Sequence, residues 1–211
     1  DDRSRASTQK RIQFDGDLRR ALLDAALRVL VEDGAAALSL RELSRSLGVS
    51  HAAPAHYFRD KAALVTALAA EGLDQLAVRM TERAQTVDPD ARLAATGIAY
   101  VEFAESHRGH FEVMFRRDLI DVTDPTYLAA SDRAIGVLIE AVELRRAGGW
   151  GAGEEAWVLA TQAWAVMHGI ASLHAQGALG RVAGSRPPVD VAAAVNRMLE
   201  AKYSVNAAHP G

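Results

Sequence analysis

Apolar side chains recur every three or four positions along most of this chain, the spacing that places them on one face of an α-helix. The pattern predicts a first helix over residues 17–33, and Gly34 follows it as a C-terminal stop. Residues 1–14 lack the pattern and are rich in polar and basic side chains, so we expect a flexible basic arm there. The first predicted elements are thus an arm and one amphipathic helix.

A second helix is predicted from Ser39 to the glycine at position 48. Ser39 and Glu42 have the spacing of a capping box, in which each side chain accepts a hydrogen bond from the other residue's backbone N–H. Ser50 is predicted to cap a third, very short helix over residues 51–57, because serine is a favoured N-cap residue. A proline about one turn into that helix limits it to few backbone hydrogen bonds.

Longer helices follow, beginning with one that Asp60 caps and that continues to about residue 86. Turns marked by glycine or proline separate the further predicted helices, which cover about residues 90–106, 108–117, 125–147, 153–178 and 188–203. Hydrophobic residues make up 49% of the chain and aromatic residues only 6%, and many of the hydrophobic ones are alanine, the best helix former. Pattern and composition together predict an all-α fold.

The sequence has no cysteine, which excludes disulfide bonds, thiolate metal sites and cysteine nucleophiles. This composition fits a reducing compartment, and no segment resembles a secretory signal peptide, so we expect a cytoplasmic protein. Residues 156–180 contain no Asp, Glu, Lys or Arg, but six polar side chains interrupt them. A membrane-spanning helix would be richer in Leu, Ile and Val, so we interpret this stretch as a helix buried by protein, with no membrane partner.

Charge is distributed unevenly along the chain, whose formal net charge is −3. Residues 1–61 carry eleven basic and nine acidic side chains, a balance of +2, whereas the rest of the chain has a balance of −5. The asymmetry permits a DNA-facing end of the molecule but does not by itself identify one.

The segment 39–61, SLRELSRSLGVSHAAPAHYFRDK, predicts a helix-turn-helix whose second helix fits the ~12 Å major groove of B-DNA. Its alanines would let the backbone approach base edges, where His51 and His56 can donate or accept hydrogen bonds. Arg41 supplies a cation, and Lys61 lies where a phosphate would meet both its charge and a helix N-terminus. Each feature alone is common in proteins that bind no DNA, and their combination favours DNA binding.

Residues 22–68 resemble the N-terminal DNA-binding domain of the tetracycline-repressor (TetR) family. The segments AALRVLVEDG, LSLRELSRSLGVS and YFRDKAAL carry the resemblance. The sequence departs from the family pattern at Ala55, where tyrosine is frequent, and at Tyr57, where histidine is frequent. The resemblance implies that Ser39, Arg41, Tyr57 and Lys61 contact phosphates, that His51, Ala52, Ala53 and His56 face bases, and that Ser50 belongs to the same DNA-binding set.

The resemblance also implies how the chain is organised. Residues 15–61 would form a three-helix DNA-binding domain, and the long helix from residue 60 would link it to the rest of the chain. Residues 62–211 would form a helical domain for ligand binding and dimerisation.

A second resemblance lies in residues 164–173, WAVMHGIASL, which are similar to a Trp/His/Gly (WHG-type) signature of one TetR subgroup. The predicted helix 153–178 has two apolar faces, which need two partners, the core of its own domain and a second subunit. Gly169 in its interior is unfavourable by ~1 kcal/mol relative to alanine, which makes sense where another backbone approaches. Together with the helix over 188–203, this helix predicts a homodimer with a four-helix seam.

Aromatic and apolar side chains of the C-terminal part could line a cavity between helices, or simply fill the core. The resemblance implies a small, largely apolar effector, and the candidate contacts are Tyr100, Phe103, Met114, Phe115, Trp157, Trp164 and His168. For His168 the alternative is a hydrogen-bonded structural role, because buried polar groups usually have partners within the protein.

No catalytic motif, phosphate-binding loop or cofactor site is found. His107 and His110 have a spacing that could chelate a metal, but no third ligand is positioned by the sequence, so no metal site is predicted. We therefore expect a ligand-responsive regulator, most simply a dimeric repressor that binds a palindromic double-stranded operator and is released by an effector. The alternative is a helical enzyme or protein-interaction adaptor that retains the architecture without binding DNA.

Overall fold

The computed structural model describes the backbone of residues 2–207 and the side chains of residues 17–203. Within these residues every regular element is a helix, and none is long and apolar enough to cross a membrane. The α-helices are α1 (Asp2–Glu32), α2 (Leu40–Ser46), α3 (Lys61–Gln85), α4 (Arg92–Ser106), α5 (Arg108–Met114), α6 (Pro125–Ala147), α7 (Ala156–Ala175), α8 (Gly180–Ala183) and α9 (Pro188–Ala207). Short 3₁₀ helices lie at Ala35–Ala37, Ala53–His56 and Pro89–Ala91.

The predicted all-α fold is confirmed, and α3, α4, α6 and α9 each begin within two residues of the predicted start. The first helix differs, because α1 begins at Asp2 rather than at residue 17. The backbone of residues 2–14, predicted as a flexible arm, is therefore helical in the structure. The side chains of residues 1–16 lie outside the described part of the chain.

Packing divides the chain into two compact units. The N-terminal unit comprises residues 1–70 together with 109–127, and the C-terminal unit comprises residues 71–108 and 128–211. Helix α3 runs from one unit into the other. The predicted domain boundaries at residues 14 and 61 concern function and stay predictions, but the packing places residues 109–127 with the N-terminal helices.

The core of the N-terminal unit forms where α1, α2 and the beginning of α3 turn their apolar faces toward one another. Residues 109–127 contribute Val113 and Ile120 to this core. Helix α5 lies so close to α1 that a Cβ on Gly109 would be 3.2 Å from the Leu27 carbonyl oxygen. The largest fully buried side chains of the unit are Leu22, Leu23, Leu30, Leu43, Leu64, Leu68 and Met114.

The C-terminal unit is built on α4, which packs against α7 and α9. Val101 and Phe103 of α4 are fully buried. A Cβ on Gly97 would lie 3.1 Å from Met167 Cγ, so glycine at this position allows α4 and α7 to pack closely. A second buried cluster joins the ends of α6 and α9 to α7 and consists of Leu93, Ala141, Val142, Trp150, Leu159, Ala160 and Tyr203.

Candidate nucleic-acid interface

A tight turn after α2 forms because Gly48 adopts a left-handed backbone with φ of +66°. The Leu47 amide donates to the Leu43 carbonyl over 3.1 Å, and the Val49 amide donates to the Ser44 carbonyl over 3.0 Å. These bonds satisfy carbonyl groups that the end of a helix would leave without partners. The predicted helix-turn-helix bend is therefore present, and α2 ends where the sequence places its end.

The element after the turn is shorter than predicted. The sequence predicts a helix over residues 51–57, whereas the structure has a 3₁₀ helix over Ala53–His56 only. Pro54 has no N–H to donate, which limits the regular hydrogen bonding available at this position. Its carbonyl accepts the amides of Tyr57 and Phe58, each over 2.9 Å. This 3₁₀ helix with the two residues before it, residues 51–56, is called the reading turn below.

Two of the three predicted N-caps differ in the structure. Ser39 is the N-cap of α2 but makes no side-chain capping bond, and Glu42 instead forms an ion pair with Arg45 one turn later. The predicted reciprocal capping box is therefore wrong. The predicted cap at Ser50 is also wrong, because Ala52 precedes the 3₁₀ helix as its N-cap.

The third cap is confirmed. The Ala63 amide donates to Asp60 Oδ1 over 2.8 Å at the beginning of α3.

One side of the reading turn is anchored in the protein core, and the other side is exposed. Pro54 and Phe58 are buried in the N-terminal unit, and the guanidinium of Arg19 lies 5.5 Å from the centre of the Phe58 ring. The exposed side chains of the reading turn are His51, Ala52, Ala55 and His56, and Ala53 is half-buried. Because the alanine side chains are small, a binding partner can come close to this surface. The two imidazole rings can then form hydrogen bonds with that partner.

The predicted phosphate contacts lie around this surface. Arg41 and Ser50 are exposed, Ser39 is half-buried, and Tyr57 is half-buried against the N-terminal core. Lys61 is half-buried and its Nζ donates to the Ala35 carbonyl over 2.8 Å. An ammonium group carries three N–H donors, so this bond is compatible with a phosphate contact.

The predicted effector contacts are divided between the two units. Met114 and Phe115 lie in the N-terminal unit, whereas the other five lie in the C-terminal unit. There Tyr100 and Phe103 are buried, but the side chain of Trp157 is 67% exposed and that of Trp164 is 43% exposed. The structure therefore brings together Tyr100, Trp164 and His168, and it does not bring Trp157 into a buried group.

Tyr100 lies at the centre of a chain of polar side chains within the C-terminal unit. Its hydroxyl is 2.8 Å from His168 Nδ1 and is also hydrogen-bonded by the Trp164 side chain. The indole N–H can only donate, so the Tyr100 oxygen accepts from Trp164. The tautomer of His168 sets the donor and acceptor roles at Nδ1 and at Nε2, which lies 3.3 Å from Ser172 Oγ.

Burial sets the charge states along this chain. Burial raises the pKa of the Tyr100 hydroxyl well above its usual value, so the phenol stays neutral. Burial also lowers the pKa of His168, which favours the neutral imidazole. Burial of His168 between α4 and α7 therefore opposes its protonation in the folded protein.

We predict that acid weakens the C-terminal unit through His168. The unfolded chain takes up the proton near the ordinary pKa of about 6.5, whereas the folded protein does so only at lower pH. The free energy of unfolding should therefore fall as the pH drops below about 6.5, by at most about 1.4 kcal/mol per pH unit. Urea titrations from pH 8 to 5 should show a shallower fall for His168→Asn, and equal slopes would contradict the prediction.

Large apolar side chains are exposed on α7 and α9. On α7 they are Trp157, Trp164 and Leu173, the last of them 44% exposed, and on α9 Met198 is 63% exposed. A Cβ on Gly169 would meet no atom within 4 Å, so nothing in the same chain needs the glycine there. The exposed surface of these two helices is called the α7/α9 face below.

His107 and His110 belong to different units of the chain. His107 lies in the C-terminal unit, where it stacks on Phe103 at 4.5 Å and its Nδ1 is 2.8 Å from Ser106 Oγ. His110 is buried in the N-terminal unit. Among the described residues no group of three or more potential ligands is placed to hold a metal ion.

Sequence reasoning missed the contacts that join distant parts of the chain. Tyr100 and His168 are 68 positions apart, and Glu112 accepts the Ala35 amide across 77 positions. Helical periodicity identifies which face of a helix is apolar, but it carries no information about which distant polar groups meet. No pattern in a single sequence signals these pairs.

The exposed turn within a small all-helical unit defines the class of helix-turn-helix proteins. Residues 22–68 match the family of bacterial regulatory proteins called the tetR family, and residues 93–202 match the tetracyclin repressor-like C-terminal domain. The second match alone covers half of the chain. The chain therefore belongs to the TetR family of bacterial regulatory proteins.

Relatives in two bacteria share the N-terminal segment. The HTH-type transcriptional regulator BetI of Rhizobium meliloti is 47% identical over 49 residues, which are 23% of this chain and 24% of that protein. An HTH-type transcriptional repressor of Mycobacterium tuberculosis is 42% identical over 59 residues, 28% of this chain and 32% of that protein. The chain thus matches about a quarter to a third of the length of these relatives.

One solved structure is similar over nearly the whole length. It is that of a protein with unknown function from Rhodococcus sp. RHA1, which is 34% identical with a TM-score of 0.77. The match covers 88% of this chain and 95% of that chain.

Proposed function

We propose that this protein is a ligand-responsive transcriptional regulator, a repressor that binds a palindromic operator as a dimer and is released by a small molecule. The observation that carries the proposal is the reading turn, which presents His51 and His56 outward while Pro54 and Phe58 anchor it in the core. Its surroundings match the tetR family over residues 22–68. An element anchored in this way keeps its shape when it meets the rigid groove of a duplex.

The proposed DNA contacts divide into two groups. Arg41, exposed on α2, and Lys61, at the beginning of α3, supply positive charge for the phosphate backbone. Ser39, Ser50 and Tyr57 add hydroxyl groups that can bind phosphate oxygens. Base contacts are assigned to His51, Ala52, Ala53 and His56, of which the alanines supply apolar contact and the histidines hydrogen bonds.

The proposed dimer forms through the α7/α9 face. Four large apolar side chains are exposed there, and a soluble protein rarely leaves such a surface uncovered. Two copies of α7 and α9 would form a four-helix seam around a two-fold axis. The two reading turns would then meet the duplex one helical turn apart, at about 34–36 Å.

The proposed effector binds in the C-terminal unit and acts through α3, which runs without interruption from Lys61 to Gln85. Movement of α3 would change the spacing of the two reading turns, so that both could no longer dock on one duplex. Such a coupling corresponds to about 1–3 kcal/mol. Trp164, His168 and Gly169 support assignment to the WHG-type subgroup, and a small, largely apolar effector would contact side chains near Tyr100 and His168.

Salt-dependent binding to genomic fragments tests the proposal. Purified protein is used to retain fragments of bacterial genomic DNA, and the recovered fragments are bound at increasing salt. We predict that Arg41→Ala weakens binding and lowers the slope of log K against log salt by about one unit, because one phosphate contact is lost. Arg181→Ala, an exposed cation of α8, should leave both unchanged.

Two results would contradict the proposal. If the slope of log K against log salt is the same for Arg41→Ala and for the native protein, Arg41 does not contact a phosphate. The absence of salt-sensitive binding to any fragment would favour the alternative, a helical enzyme or adaptor that keeps this architecture without binding DNA.

A further inference from the structure

Ala35 lies at the junction between α1 and α2. Gly34 turns the chain out of α1 with a φ of +79°, and Ala35 opens the 3₁₀ helix that leads to α2. Ala35 is itself buried in the core of the N-terminal unit. Because α2 and the reading turn follow this junction, the orientation of the two peptide groups that flank the Ala35 Cα sets the direction in which both leave α1.

Two charged side chains hold Ala35, one on each side of its Cα. The Ala35 amide donates to Glu112 Oε1 over 3.1 Å, and the Ala35 carbonyl accepts from Lys61 Nζ over 2.8 Å. The carboxylate aligns with the dipole of the peptide group before the Ala35 Cα, and the ammonium aligns with the dipole of the peptide group after it. Hydrogen bonds to charged groups are stronger than neutral ones, so the two bonds fix the two successive peptide planes.

Glu112 is in turn fixed by the way its own segment is packed. Helix α5 lies in close contact with α1 through Gly109, and Val113 is buried in the same core. Further along the segment, the Asp121 amide donates to Thr66 Oγ1 of α3 over 2.9 Å. The Glu112 carboxylate that binds Ala35 therefore belongs to a segment that is in contact with both α1 and α3.

We propose that Glu112 is a positioning residue of the DNA-binding machinery, which fixes the direction of α2 and the reading turn by holding the Ala35 amide. The inference rests on the proposed function for its consequence, namely operator affinity. Glu112 lies outside residues 22–68, the range that matches the DNA-binding family. The complete DNA-binding unit is thus assembled from two separate stretches of the chain.

Hydrogen exchange in the full-length protein tests the contact without DNA. In Glu112→Ala the Ala35 amide should exchange about tenfold faster or more, while amides in the middle of α1 keep the native rate. Glu112→Gln retains an acceptor oxygen and should restore nearly native exchange. Asp118→Asn removes a carboxylate from the same segment, one that pairs only locally with Arg116, and should change nothing at Ala35.

DNA binding tests the consequence, with the fragments that the native protein retains as the probe. Glu112→Ala should weaken binding about tenfold with an unchanged salt slope, because no phosphate contact is removed. Glu112→Gln should bind within about twofold of the native protein. A general loss of stability would instead speed exchange in the middle of α1, where Glu112→Ala is expected to keep the native rate.

The two measurements separate the possible failures. Native exchange at Ala35 in Glu112→Ala, or equally fast exchange in Glu112→Ala and Glu112→Gln, would overturn the positioning role of Glu112. Native DNA affinity in Glu112→Ala would overturn its consequence for the reading turn. If the native protein retains no DNA, the proposed function fails, while the exchange measurement still decides whether Glu112 holds the junction.

Discussion

A Met198→Glu variant is expected to be monomeric and to lose operator affinity by about 100-fold or more. Met198 is 63% exposed on α9, within the α7/α9 face that we propose to form the dimer seam. Two-fold symmetry would bring the two copies of this position near each other, so the substitution would bury like charges in an apolar interface. A monomer loses the gain from binding two half-sites at once, which accounts for the large effect.

The control for this variant is Ile135→Glu. Ile135 is 48% exposed on α6, so the same charge is introduced at another apolar surface position of the C-terminal unit. Sedimentation velocity should give a dimer for the native protein and for Ile135→Glu, and a monomer for Met198→Glu. If Met198→Glu remains a dimer, or if only Ile135→Glu dissociates, the dimer interface does not include Met198 of α9.

A Phe58→Ala variant is expected to lose about 3–5 kcal/mol of unfolding free energy from the N-terminal unit, because it leaves a cavity under the reading turn. Phe58 is almost fully buried, and the Arg19 guanidinium lies over its ring. The Phe58 amide also donates a hydrogen bond to the Pro54 carbonyl. Without this anchor the exposed histidines no longer hold a fixed direction. DNA affinity should therefore fall together with stability.

The positions of the tryptophans allow the unfolding of the two units to be followed separately. All three, Trp150, Trp157 and Trp164, lie in the C-terminal unit, so their fluorescence reports on that unit, whereas far-UV circular dichroism reports on both. In Phe58→Ala, part of the circular dichroism change in urea should occur before any change in fluorescence. Phe58→Leu, which fills most of the same space, should show a smaller separation. Coincident transitions in Phe58→Ala would contradict a loss confined to the N-terminal unit.

The helices could be predicted from the sequence because each depends on local information. The apolar spacing of α3 and the capping carboxylate of Asp60 identify its beginning without knowledge of any other element. The capping box at Ser39 failed because Glu42 pairs with Arg45 in the structure, and a four-residue pattern cannot weigh two possible partners. The reading turn was predicted too long because a proline within a short helix permits either a helical or a 3₁₀ backbone.

The candidate site was only partly predictable for a different reason. The positions of His51, His56 and Arg41 around a short turn follow from residues close together in sequence. The polar chain through Tyr100 and His168 and the Glu112 bond to Ala35 join residues 68 and 77 positions apart. Such pairs depend on how helices pack in three dimensions, which the pattern of one sequence does not encode.

The assignment of residues 109–127 to the N-terminal unit bears on how chimaeric regulators should be engineered from this protein. A transplant limited to the first seventy residues would leave behind Val113 and Ile120, and would expose the part of the N-terminal core that they complete. A host protein would have to supply matching side chains at that surface for the graft to fold. Exchanging both stretches together preserves the native interior and is the sounder choice for transferring DNA specificity between related scaffolds.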